Sequence, residues 1–149
     1  MHRTEGFTLL EIVLVVAIVG IVLSIAAVGL RSLSDPVGKA ASAIQGTMKQ
    51  ARSRAMSTTS AYRISLGTSS TLQATYAYTC EDTTGWTRDP RFDVTLENGV
   101  QITSPTTVGP IVCFDSQGIA DANPTVTIQG NDGKTASVEV LIGGAVEVH

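Results

Sequence analysis

A single carboxylate, Glu11, stands at the edge of a greasy segment: Ile12 through Leu30 is a run of 19 residues without a charge, broken only by Gly20, Ser24 and Gly29. An ionised carboxylate placed in such a segment costs about 2.5–3.5 kcal/mol on membrane-insertion scales, so Glu11 calls for a cation beside it. The two cysteines, Cys80 and Cys113, form the second chemical pair. An even count in an exported domain reads as one disulfide, which would contribute roughly 3–4 kcal/mol by closing a loop of that length; the other reading is two buried free thiols. Neither cysteine has a Cys or His neighbour at metal-ligand spacing, and the histidines are His2 and His149, so no metal site and no cofactor are expected. Nucleophilic catalysis needs a base beside the nucleophile, and histidines at the two ends supply no ordinary Ser-His or Cys-His pair. The chain reads as a non-enzyme.

Three other groups of residues invite a functional reading. Lys49, Arg52 and Arg54 lie close together and would make a binding stripe for DNA or an acidic partner subunit, or else a solvated helix face near lipid headgroups. Asp115, Asp121 and Asp132 would suit a hard cation if they gathered, but their spacing is not that of an EF-hand loop, and turn chemistry accounts for each. Trp86 reads as a partly buried head residue or an exposed binding aromatic.

The elements that must position these residues follow from composition and period. The chain's 149 residues leave, after about thirty of apolar or targeting sequence, room for one small domain and not for a second, catalytic one. Arg31 to Arg63 carries +5 and Ile64 to His149 carries −7, a basic stem and an acidic head. Ser34-Asp35-Pro36 interrupts the helical pattern, with Pro36 opening a new helix or kinking a continuous one. Val37, Ala41, Ile44, Met48, Ala51 and Ala55 then recur at steps of four and three, predicting a helix whose modest apolar face covers a sheet.

From Ala61 the period changes to two. Tyr62, Ile64 and Leu66 alternate with more polar neighbours, as do Val126 and Ile128, and Val138, Val140 and Ile142. Asn98-Gly99, Asn131-Asp132-Gly133 and Gly143-Gly144 punctuate these runs as hairpin turns. Further strands are expected near 72–79, 92–96 and 110–114. The expected fold class is α+β: a long N-terminal helix packed on a small antiparallel β-rich head, in one sheet or two.

The N-terminal run itself has three readings. A buried core helix with no polar face is hard to cover with so small a head. A removable secretory signal would cut near Ser24-Ile25-Ala26, but leaves Glu11 inside its apolar region. The third is a membrane-crossing helix, since 19 residues at about 1.5 Å each span roughly 28 Å, against a hydrocarbon thickness of ~30 Å.

Gly6-Phe7-Thr8-Leu9-Leu10-Glu11, with the apolar run directly behind it, resembles the leader junction of type IV pilins and the pseudopilins of type II secretion. The resemblance implies that a prepilin peptidase cuts after Gly6 and methylates the new amino terminus at Phe7, and that Glu11 becomes the glutamate that sets filament register. Beyond the first thirty residues the chain is similar to the minor pilins and pseudopilins of the pseudopilin H and FimT-like subgroup. Ala51-Arg52-Ser53-Arg54-Ala55, Val112-Cys113-Phe114-Asp115-Ser116-Gln117-Gly118 and the closing hairpin through Gly143-Gly144 carry that likeness.

The implied organisation is a leader over residues 1–6, a transmembrane and filament-core helix over 7–30, an amphipathic stem over 31–57 and an extracytoplasmic head over 58–149. The implied protein is a minor pilin or pseudopilin, spanning the inner membrane once with its head in the periplasm and passing into a pilus or pseudopilus. Its partners would be other pilin subunits, the prepilin peptidase, an inner-membrane assembly platform and the lipid bilayer. The alternative is a tip-borne adhesin or DNA receptor. DNA-binding members of the FimT-like group end in an arginine-bearing strand after a glycine, whereas this chain ends Gly144-Ala145-Val146-Glu147-Val148-His149, whose negative charge repels phosphate.

Overall fold

The structure, a computed structural model, describes residues 9–32, 35–97 and 99–149, with side chains of the first helix described to Val22. Two compact units divide at Asp35 and Pro36.

The first contains helix α1, Leu9–Ser32. Its large apolar side chains from Leu9 to Val22 are all exposed, Leu9 by 81 % and Val19, the least, by 49 %. The whole circumference is apolar, so no choice of face could bury it against a single neighbour. Among the described residues no helix is long and apolar enough to cross a membrane; the run expected to do so extends to Leu30, past the last described side chain of α1.

The second unit begins with helix α2, Pro36–Thr58. Proline is the first helical residue, where its missing N–H costs nothing and its fixed φ suits the turn. Of the two sequence expectations for Pro36, the structure takes the new helix. Val37, Ala41, Ile44, Met48, Ala51 and Ala55 are all buried, as their spacing predicts, and Ala40 and Thr47 widen the stripe.

Among the described residues nine strands follow, all paired antiparallel. Strands β1 (Ala61–Thr68), β2 (Thr71–Ala77), β3 (Thr87–Arg88), β4 (Val94–Thr95) and β6 (Gly109–Phe114) form a sheet in the order β3-β2-β1-β6, with β4 also on β2. Strands β5 (Val100–Ser104), β7 (Thr125–Gly130), β8 (Thr135–Val140) and β9 (Val146–Val148) form the second, in the order β5-β7-β8-β9. Both inner faces pack with the α2 stripe in one core: Ile64, Leu72 and Phe114 come from the first sheet, Ile128, Val138 and Val140 from the second.

Three local expectations are corrected. The run 92–96 divides into a 3-10 turn, Pro90–Phe92, and the two-residue β4, because Asp89 caps the Arg91 N–H and Pro90 starts a helical turn. The strand through Val138 and Val140 stops there, so Ile142 sits in the β8–β9 turn and is 57 % exposed. Strand β5 at Val100–Ser104 was not anticipated; only Val100 and Ile102 face inward, too short an alternation to stand out. Of the expected turn Asn98-Gly99, Asn98 lies outside the described residues, and Gly99 has a φ of +92°.

Candidate functional site

The sequence expectations place function at two locations, the start of α1 and the surface where α2 meets the sheets. Gly6 and Phe7, the residues expected at the leader junction, lie outside the described residues. Glu11 lies in the first turn of α1, where a negative charge suits the positive end of the helix dipole. Ile12, Val15 and Val16 surround it, all more than half exposed. A carboxylate on an uncovered apolar helix is thus displayed among groups that favour water-free contact, and water-free contact strengthens any ion pair made there.

Cys80 and Cys113 are bonded, with Cα atoms 5.9 Å apart. The bridge joins the segment after β2 to strand β6. Arg63 on the intervening β1 strand donates to the Cys80 carbonyl at 3.0 Å and lies 3.6 Å above the Trp86 ring. Trp86 in turn donates its indole N–H to the Asp82 carbonyl at 2.6 Å. Disulfide, cation–π stack and indole hydrogen bond thus hold the otherwise irregular segment 78–86 against the sheet. Trp86 is half-buried, the first of its two sequence readings.

The three residues of the expected stripe behave differently from one another. Lys49 and Arg54 are both exposed. Arg52 is half-buried, donating from Nε to the Gly118 carbonyl at 3.0 Å and from Nη2 to the Gly143 carbonyl at 2.9 Å. Those two bonds pin the end of α2 to the loop after β6 and to the closing hairpin. Gly118 and Gly144 both have φ near +78°. A Cβ on Gly144 would collide with the Gly118 carbonyl and the Arg52 guanidinium, and one on Gly118 would lie 2.8 Å from the Met56 sulfur. Both positions therefore require glycine on two counts, backbone conformation and space. The motifs containing Arg52, Gly118 and Gly144, separate in sequence, meet at this clamp.

The candidate carboxylates each accept backbone N–H groups. Asp115 accepts from the Gln117 and Ile119 N–H groups, Asp121 from the Cys113 N–H, and Asp132 from the Lys134 N–H. For Asp115 and Asp132 this is the turn chemistry expected of them, whereas Asp121 ties its loop to strand β6.

A polar network that sequence reasoning missed centres on Asp89, 3 % exposed. It accepts from Arg91 Nε at 2.8 Å and Nη2 at 2.7 Å, and from the Tyr62 hydroxyl at 3.3 Å. The Arg91 guanidinium holds the Asp89 carboxyl below the usual carboxylate range, against the opposing effect of burial. Burial pushes the Tyr62 hydroxyl up, with the positive charge of Arg54 opposing. The signal was Asp89-Pro90, a cap followed by a first-turn proline.

Comparison with known proteins now bears on this architecture. Residues 1–27 match the prokaryotic N-terminal methylation motif, and residues 40–145 match the type II transport protein GspH family. Among curated proteins none matches the chain. The minor pseudopilin EpsH of the type 2 secretion system of Vibrio cholerae superposes with a TM-score of 0.61 at 14 % identity, over 77 % of this chain and 97 % of its own. The type IV minor pilin FimU of Pseudomonas aeruginosa does so with a TM-score of 0.57 at 15 % identity, over 76 % and 87 %. At such identities the superpositions speak for the fold, and the family match covers more than half of the sequence. The chain belongs to the GspH family and is a minor pilin or pseudopilin, a structural subunit of the membrane-anchored, pilus-forming class.

Proposed function

We propose that this subunit works by assembly and not by catalysis: a prepilin peptidase removes residues 1–6 and methylates Phe7, and α1 then anchors the chain in the inner membrane with its head in the periplasm. From there an inner-membrane assembly platform draws it into a pilus or pseudopilus. One observation supports the reading most directly. The apolar side chains of α1 are exposed from Leu9 to Val22 around the Glu11 carboxylate, so this helix has everything to gain from a bilayer or a bundle of like helices. In such a bundle the amine released at Phe7 of a neighbouring subunit is the cation that Glu11 calls for, and their pairing sets the axial step between subunits.

The test uses the full chain in cells that assemble it. Glu11→Gln and Glu11→Val should leave cleavage after Gly6 intact, read by N-terminal sequencing that begins at Phe7, and reduce incorporation into filaments at least tenfold. Undiminished incorporation of both variants would remove Glu11 from the mechanism. A mature chain still beginning at Met1 would remove the leader itself.

A further inference from the structure

At one end of the five-stranded sheet, the segments after β2 and after β6 flank the first residue of β1 and leave a groove of about 350 Å³ between them. Ala61 and Ala120 form its buried floor, and Tyr78 and Ile119 stand exposed beside it by 89 % and 42 %. Glu81, Asp115 and Asp121 complete the lining, with no lysine, arginine or histidine among the lining residues. Asp115 and Asp121 accept backbone N–H groups at Oδ1, leaving Oδ2 for a partner. Among the described residues no group of such side chains is close enough to hold a metal ion, so these carboxylates suit positive charge spread along a segment more than a single ion. The groove is also pre-shaped: the Cys80–Cys113 bond ties its two walls together, and Arg63, stacked on Trp86, braces the wall that carries Tyr78. Little ordering would remain to be done on binding.

The complementary surface is in the same family of parts. Helix α2 carries Lys39, Lys49, Arg52 and Arg54 and no acidic residue, and Lys39, Lys49 and Arg54 are exposed. None of these lines the groove. A contact between two different patches is heterologous, and heterologous contacts propagate into open helical assemblies, whereas a self-complementary patch closes a dimer.

We propose that this acidic groove receives the exposed lysine- and arginine-bearing face of the stem helix of a neighbouring subunit in the same filament, an inference that rests on the filament reading above. Tyr78 lies along the aliphatic part of an incoming lysine or arginine, and Glu81, Asp115 and Asp121 meet its charged end. Contacts of this kind are individually weak, and along a filament the high local concentration set by neighbouring anchors makes them sufficient.

The experiment measures binding of a fluorescent peptide with the sequence of residues 36–58 to the unit Pro36–His149, which contains the whole core and the disulfide. Expected are saturable binding that weakens at least fivefold between 50 and 300 mM NaCl, and a fivefold or greater loss in Tyr78→Ala and in Glu81→Lys. Both residues are exposed, and unchanged thermal melting checks that each variant folds. Equal affinity for a peptide with its four basic residues replaced by glutamine, undiminished binding by both variants, or no binding at millimolar peptide each overturns the proposal. A second arm places Tyr78→Ala and Glu81→Lys together in the full chain: a mature terminus at Phe7 with reduced incorporation supports the groove, and normal incorporation refutes it. Should the unmodified chain itself retain residues 1–6, the filament reading fails whatever the peptide does.

Discussion

Helices α1 and α2, described over 24 and 23 residues, solve opposite problems. The α1 side chains described are apolar on every face and exposed, whereas α2 confines its apolar residues to one stripe and buries that stripe against two sheets. A helix of the first kind draws its stability from whatever surrounds it, a bilayer or other helices; a helix of the second kind draws it from its own chain. One molecule therefore separates assembly from folding. Substitutions should sort accordingly, with changes in the buried core of Pro36–His149 altering melting, and changes in α1 or at the exposed groove around Tyr78 and Glu81 altering incorporation.

The largest expected effect on the folded unit is removal of the disulfide. With the partners 33 positions apart in sequence, Cys80→Ala together with Cys113→Ala should lower stability by roughly 3–4 kcal/mol, measured by urea unfolding of the Pro36–His149 unit. Close behind comes Ile44→Ala, fully buried in the α2 stripe, at about 3 kcal/mol in the same assay. Arg52→Met keeps the aliphatic length and loses the two carbonyl bonds, for about 2 kcal/mol; an unchanged midpoint would show that the clamp is incidental.

A smaller effect, with a pH signature, belongs to Asp89. Because its carboxyl titrates below the ordinary value, its contribution is fully present above that value, near 3.8, and is lost as pH falls through the depressed folded value. Asp89→Asn should therefore cost about 1–2 kcal/mol at pH 7 and progressively less in acid, where the native carboxyl is itself protonated. A stability difference that stays constant from pH 7 to pH 2 would assign the loss to shape and not to charge. The smallest effect on melting is expected from Val15→Ala, near zero for the head, with any loss confined to incorporation. If Val15→Ala lowers head melting as Ile44→Ala does, the division of labour between the two helices is wrong.

Much of this was legible from spacing. The six apolar residues from Val37 to Ala55 stand at helical steps, and all six are buried. The alternating runs at Tyr62–Leu66 and Val126–Ile128 became strands with their apolar residues inward, because a two-residue period leaves one face to the core whatever the partner strand. The short strand β3 escaped, since no period can be read from two residues, and of the strand expected at 92–96 only the two residues of β4 pair. The mistaken extension of β8 to Ile142 has the same origin, since a period says which face a residue would take but not where a tight turn ends the strand.

By itself the amino-acid sequence determined the division into apolar helix, basic stem and acidic head, the α+β class, the position of Glu11 at the edge of its apolar run and the likeness to pilins, because these depend on residue type and local spacing. Only the tertiary structure decided that Arg52 is engaged by two carbonyls distant in sequence, that Asp89 is buried against Tyr62 and Arg91, that Cys80 reaches Cys113, and that Tyr78, Glu81, Asp115 and Asp121 line one groove. Each of these brings together side chains from different elements, and the pairing of strands fixes such distances while local propensity does not.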